Sequence, residues 1–333
     1  MKRIILHAGQ HKTGTSAVQR FCADHREALL RLGYLYPATG LGNSGNHGRL
    51  VLQLLSRTAS ERNDARSQLE KELASNSDCD VIISAEYLSS ILGREGSRSG
   101  IISLFQEYRR AVSIIIYVRS DVDLINASYA QNVKSFKVGE SIKEVTKGRM
   151  DASLRNYQSY RTLARDPGIA MRFLPYDQQV RRDGVVHHLL SEIGLSSENI
   201  VNLGPEQRVN ESVGPIAIEA ALATMKRVKK RGNTLSLKQQ NSLKKTLFRL
   251  VAKETPEPPF QGVDEALYQQ IEEHVSLERE KFARRAWDKM WKHVFAQQTL
   301  RPYNAFDIAT AQPSEIDQLG RLNKGLWACV RDM

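Results

Sequence analysis

The sequence predicts an α/β fold: a mostly parallel β-sheet flanked by helices, with a helical C-terminal extension. Three observations predict it. Short, uninterrupted apolar runs recur through the first half of the chain, among them RIIL, VIIS and SIIIYV, and such runs mark strands buried on both faces. Stretches of helical period lie between them, as the crossover connections of a parallel sheet require. After Pro215, long charged stretches of helical pattern follow one another with no convincing strand.

The elements are justified in order. RIIL (residues 3–6) reads as a buried strand, followed by a glycine loop and a helix over residues 16–32, with Val18, Phe21, Cys22, Ala28, Leu29 and Leu32 on its apolar stripe. A turn at Gly33 leads into YLYP, a second strand stopped by Pro37, and ATGLGNSGNHG is a loop. A helix resumes at about Arg49, and another, rich in charge, covers residues 60–75. VIIS (81–84) is the third strand and runs into Ala85-Glu86. SIIIYV (113–118) is the fourth and ends at Arg119. IAMRFLPY (169–176) is the fifth, after an Asp166-Pro167-Gly168 turn. Residues 216–230, 237–253 and 265–295 then read as helices, interrupted by the proline-rich break TPEPPF (255–260), and the last thirty residues read as irregular. This divides the chain into an α/β domain over 1–213 and a helical extension over 214–333.

Composition narrows the partners. The formal net charge is +11, a field that attracts nucleotides, acidic glycans, nucleic acid or a membrane surface. Cys22, Cys79 and Cys329 are too few and too scattered for a disulfide framework or a zinc site. The opening MKRIILHAGQ has an apolar burst too short for a signal-peptide core, and no run approaches the roughly eighteen apolar residues of a spanning helix. The expectation is a cytoplasmic protein.

The chemistry concentrates where strands end, since ligands of such sheets bind outside the carboxyl ends of the strands. His7, Glu86 and Arg119 fall there. In HAGQHKTGTSAV (7–18), Gly9 and Gly14 have the spacing of a Walker A loop, which makes the arrangement P-loop-like, yet Lys12 precedes Gly14 where a nucleotide triphosphatase has its lysine just after the second glycine. A strand turning through glycines into a helix presents backbone N–H groups and the positive helix end to an anion. Thr13, Thr15 and Ser16 add hydroxyls, and Lys12 adds a mobile charge. A Mg-ATP site also needs a hydroxyl residue directly after the lysine and an aspartate at a strand end. Here the GK[ST] triplet is missing and the fourth strand ends in Arg119. That points to a nucleotide with two separated anionic ends and no metal.

HKTGTS after the first strand and YVRSDVDLINASY after a later one resemble the sulfotransferase family, whose donor is 3′-phosphoadenosine 5′-phosphosulfate (PAPS). GYLYP, NHGRL, VIISAE, FLPYDQQV and HHLLSEIGL are similar to stretches of its bacterial members, and the likeness covers about residues 1–213. The resemblance implies that Lys12, Thr13, Gly14, Thr15 and Ser16 hold the phosphosulfate and that Arg119 holds the 3′-phosphate. The family usually has a serine eight residues after that arginine. Ala127 stands there and Ser128 follows, about 100° further round a helix. Arg208, in QRVNES, is a further candidate nucleotide ligand, or part of a helix start capped by Asn210 or Ser212.

Sulfuryl transfer needs a base near the acceptor and positive charge at the leaving oxygen. Lys12 and the loop amides suit the second task. Glu86, just past a strand end, is the first candidate base, and His47, in the glycine-rich loop, is the second. His7 and His11 flank the loop as packing or phosphate-contact residues. The acceptor implied is a saccharide, glycolipid or other hydroxylated molecule. The basic runs KRVKKR (226–231) and KKTLFR (244–249) read as solvated faces that could steer an anionic acceptor or meet a membrane surface, and they lack the interleaved aromatics of a nucleic-acid platform. Trp287 and Trp291, four apart on a helix, read as core. Two other readings are a divergent P-loop kinase or hydrolase using Mg-ATP, and a non-catalytic basic protein that binds nucleic acid.

Overall fold

The computed structural model describes residues 2–165, 169–206, 212–297 and 299–331. Five strands form one sheet: β1 (Arg3–His7), β2 (Tyr34–Leu35), β3 (Asp80–Ser84), β4 (Ala111–Val118) and β5 (Ala170–Pro175). Their order is β2-β3-β1-β4-β5, and every pairing is parallel. The central strand β1 sets Ile4 beside Val81 on one side and Val112 on the other. Ile4, Ile5 and Leu6 are all buried, which is why this strand reads as an unbroken apolar run rather than an alternation. The second strand keeps only Tyr34 and Leu35 of YLYP in the ladder, because Pro37 has no N–H to extend it.

The helices in chain order are α1 (Thr15–Asp24), α2 (Arg26–Arg31), α3 (Gly48–Leu54), α4 (Ala59–Ser75), α5 (Tyr87–Leu92), α6 (Glu95–Gln106), α7 (Asp121–Lys134) and α8 (Ile142–Leu163). There follow α9 (Gln178–Asp183), α10 (Val185–Ile193), α11 (Ser197–Asn202), α12 (Pro215–Lys230), α13 (Leu237–Val251), α14 (Glu265–Trp287), α15 (Trp291–Val294) and α16 (Pro313–Arg331). No helix among the described residues is long and apolar enough to cross a membrane. The α/β class and the helical C-terminal segment stand as the sequence predicts.

Four details differ. The helix expected over 16–32 is two helices broken at His25, whose ring Nδ1 donates to the Phe21 carbonyl at 2.9 Å and ends α1. The helix expected over 265–295 stops at Trp287, where Asp288 turns to φ +52°, so Trp287 and Trp291 do not share a helix. The last thirty residues are not irregular: α16 occupies most of them and buries Leu322 and Leu326. The Asp166-Pro167-Gly168 turn lies outside the described residues.

The chain forms two compact units whose segments alternate along the sequence, rather than meeting at one boundary near 213. The first comprises Met1–Ser120, Ser153–Val209 and Ser276–Gln298. Its core lies where α1 and α10 cover the sheet, with Ile5, Val18, Phe21, Tyr117, Val186 and Leu190 in one buried cluster. A second cluster joins Tyr160, Phe173, Phe282 and Trp287 in tilted and edge-to-face pairs, and the Trp287 indole N–H donates to the Phe173 carbonyl at 2.7 Å. Trp291 is core, tilted against Phe295 and covered by Arg279, and Trp287 is half-buried in the aromatic cluster.

The second unit comprises Asp121–Ala152, Asn210–Val275 and Thr299–Met333. Within it α16 packs on α12 and α13. The TPEPPF break has a job there. The Glu257 carboxylate accepts from the Ile216 N–H at 2.7 Å, capping the start of α12, and from Gln318 of α16 at 3.1 Å. Phe260, buried, returns an N–H to the Val213 carbonyl. Part of the KRVKKR run is also structural: the Arg227 and Arg231 guanidiniums sit 4.1 and 4.5 Å from the ring centre of Trp327 on α16.

Candidate functional site

The site is built in the first unit at the carboxyl end of β1. The chain leaves His7, donates the Ala8 N–H to the Ile115 carbonyl of β4, and turns into α1 at Gly14. Two backbones are left-handed in this turn, Lys12 at φ +69° and Gly14 at φ +76°. Gly14 has a double reason to be glycine, because a Cβ there would also lie 2.6 Å from Val185 Cγ1 of α10. A Cβ on Gly9 would collide with Thr15 Oγ1. Inside the turn, the Thr13 hydroxyl donates to the Gln10 carbonyl at 2.6 Å, and Thr13 and Thr15 are buried. These two hydroxyls thus shape the loop from within. Ser16 is more open. No side chain caps α1, so its first-turn amides remain available to an anion.

Lys12 is the unusual member, since a non-glycine residue in the left-handed region costs about 1–3 kcal/mol and persists where surroundings hold it. Arg119, at the end of β4, does the holding. Its Nη1 donates to the Lys12 carbonyl at 2.7 Å, its backbone N–H donates to Gln10 Oε1 at 3.0 Å, and its guanidinium carbon lies 5.6 Å from the centre of the Tyr176 ring. Arg119 is therefore a brace for the loop as well as a charge beside it. Gln10 and Tyr176 belong to this assembly, and nothing in their sequence spacing signals it.

Glu86 stands two residues past β3, and its carboxylate accepts from His11 Nδ1 at 2.9 Å. The His11 hydrogen bond is the main cause holding the Glu86 carboxyl below the usual carboxylate range, opposed by partial burial and helped by the neighbouring His11, Lys12 and His7. The sequence places Glu86 and His11 apart as base and loop residue; the fold brings them into one pair.

His7 lies beneath the loop, fully buried. Its Nδ1 meets Ser84 Oγ at 2.8 Å, and its Nε2 is a buried atom with no hydrogen-bond partner among the described residues. That nitrogen faces the loop at Gly9, where a Cβ would lie 3.3 Å away. Burial pushes the His7 pKa down to about 4, so the ring is neutral at pH 7. An orphaned polar nitrogen under a glycine turn with uncapped amides fits a loop made for an anionic ligand.

His47 does not reach an acceptor. It is fully buried, with Nε2 donating to the Pro37 carbonyl at 2.9 Å and Nδ1 accepting the Ser84 N–H at 3.2 Å. Burial lowers its pKa to about 4. Both ring nitrogens are engaged in fixing the glycine-rich loop to β3, and this corrects its reading as a candidate base.

Ser128 lies on α7 in the second unit, with its side chain buried, and Ala127 beside it is half-buried. Arg208 and Asn210 lie outside the described residues, whereas Ser212 is exposed.

No family model matches the chain, and no curated protein sequence matches it. Among solved structures the chain is similar to a sulfotransferase from Alicyclobacillus acidocaldarius. Identity is 14%, the TM-score is 0.38, and the match covers 71% of this chain and 98% of the other. The chemistry of the site stands on its own geometry.

Proposed function

We propose that the protein is a sulfotransferase, moving a sulfuryl group from PAPS to a hydroxyl or amine of a carbohydrate, glycolipid or small-molecule acceptor, in line and without a metal ion. The observation that carries this reading is the basic pair formed by the loop and the end of β4. Arg119 stands where a Mg-ATP site would have a carboxylate, and its guanidinium is fastened to the carbonyl of Lys12. A cation there suits a phosphate monoester, and PAPS has one on its 3′ oxygen besides the phosphosulfate. The resemblance of HKTGTS and YVRSDVDLINASY to sulfotransferase motifs supports the same ligand.

The donor supplies an activated sulfuryl group on a good leaving phosphate. The loop amides and Ser16 orient that end, and Lys12 stabilises the charge that grows on the leaving oxygen. Arg119 binds the other end while keeping the loop in shape. Arg208 is a further candidate contact to the same nucleotide. The basic surface gives an anionic saccharide or glycolipid acceptor a favourable approach.

Titration with adenosine 3′,5′-bisphosphate tests the assignment of Lys12 and Arg119. Each charged hydrogen bond contributes about 1.5–3 kcal/mol, so Lys12→Ala and Arg119→Ala should each weaken binding by roughly ten- to a hundredfold. Unchanged affinity in both variants contradicts the proposed donor site.

A further inference from the structure

The His11–Glu86 pair is arranged differently from a lone carboxylate base. Glu86 is tied up by the ring, because its carboxylate accepts from Nδ1 at 2.9 Å. The ring itself is outward: the His11 side chain is 65% exposed, against 34% for Glu86. His11 Nε2 makes no hydrogen bond among the described residues. A carboxylate on Nδ1–H fixes the tautomer and leaves the Nε2 lone pair pointing away from Glu86. Lys12 follows directly in the chain, so the open nitrogen belongs to the loop that would present the sulfuryl group. The other titratable groups around the pair are Lys12 and the buried, neutral His7.

We infer that His11, not Glu86, is the group that takes the acceptor's proton, and that Glu86 is its positioning residue. This rests on the sulfotransferase reading. As the acceptor oxygen bonds to sulfur, its proton passes to His11 Nε2. The bond from sulfur to the oxygen of the 5′-phosphate breaks, and its electron pair leaves with that oxygen beside Lys12. The charge on the imidazolium is balanced by Glu86, which stays ionised throughout.

Two measurements on the full chain test the pair. In the first, long-range proton–nitrogen NMR of the His11 ring, with adenosine 3′,5′-bisphosphate bound, reads the tautomer directly. The expected result is a protonated Nδ1 and bare Nε2 in the wild type, shifting toward protonated Nε2 in Glu86→Ala. A wild-type ring protonated on Nε2, or one unaffected by Glu86→Ala, overturns the inference. The second follows sulfate release from PAPS with water as acceptor. His11→Asn should lose about 10²–10⁴-fold in sulfate release at saturating PAPS. Glu86→Gln, which still offers an oxygen to Nδ1–H, should lose only about tenfold. Loss in Glu86→Gln with activity kept in His11→Asn would make Glu86 the base and overturn the inference. If the wild type neither binds the bisphosphate nor releases sulfate, the donor reading has failed, and the NMR tautomer then reports on the pair separately.

Discussion

Lys12 and Gly14 show how much of the loop depends on single backbones. Gly14 combines φ +76° with a blocked Cβ position, so Gly14→Ala should destabilise the protein by about 1–3 kcal/mol. It should also weaken the bisphosphate more than Ser16→Ala does. Denaturant midpoints and titrations of the two variants check both statements. The buried histidines give a pH prediction. His7 and His47 are held near pKa 4 by burial, against about 6.5 in an unfolded chain. The unfolded state therefore binds more protons below 6.5. Stability is full above that value and falls as pH drops toward 4, by about 2 kcal/mol for each ring between pH 7 and 5. Urea midpoints at the two pH values should show it, and His47→Asn, weaker at neutral pH, should show a shallower fall. Equal midpoints at pH 7 and 5 contradict the burial argument. At this scale the sequence is legible where chemistry is local. HKTGTS announces its loop because glycine, lysine and hydroxyls sit together. His47 misleads because its glycine-rich neighbours read as mobile, while its actual partners, Pro37 and Ser84, are distant in sequence or silent in pattern.

The strands are the most legible elements, since burial on both faces writes itself as an uninterrupted apolar run. Helix ends are less so. At His25 the ring and the backbone N–H share the Phe21 carbonyl, and at Asp288 one left-handed residue turns the chain; neither disturbs the apolar period. The C-terminal helix escapes the sequence reading because its buried face is narrow. Leu322 and Leu326 carry it, while Leu319, Trp327 and Val330 are only half-buried and Ile316 is exposed. Both leucines are fully buried within the second unit, so Leu326→Ala should cost about 2–5 kcal/mol. Ser236 offers a milder test. It forms a capping box with Gln239 at the start of α13, and Ser236→Ala should cost about 1 kcal/mol. Thermal melts of the two variants should rank in that order, and a silent Leu326→Ala would mean that α16 contributes nothing to the unit's stability.

Across the whole molecule, reading along the chain suggests one boundary, because composition changes once, near Pro215. The fold instead returns to each unit: 121–152 belongs with the second and 276–298 with the first. Such returns follow from packing between distant segments, which no local pattern encodes. The net charge of +11 is legible from the outset and favours an anionic ligand, while the proposed donor rests on Arg119 meeting Lys12. The most direct measurement is the thermal stability of the intact protein titrated with adenosine 3′,5′-bisphosphate and, separately, with Mg-ATP. At a hundred times its dissociation constant the bisphosphate should add about 2.7 kcal/mol, with Mg-ATP adding much less. A clear shift with Mg-ATP and none with the bisphosphate would contradict the account.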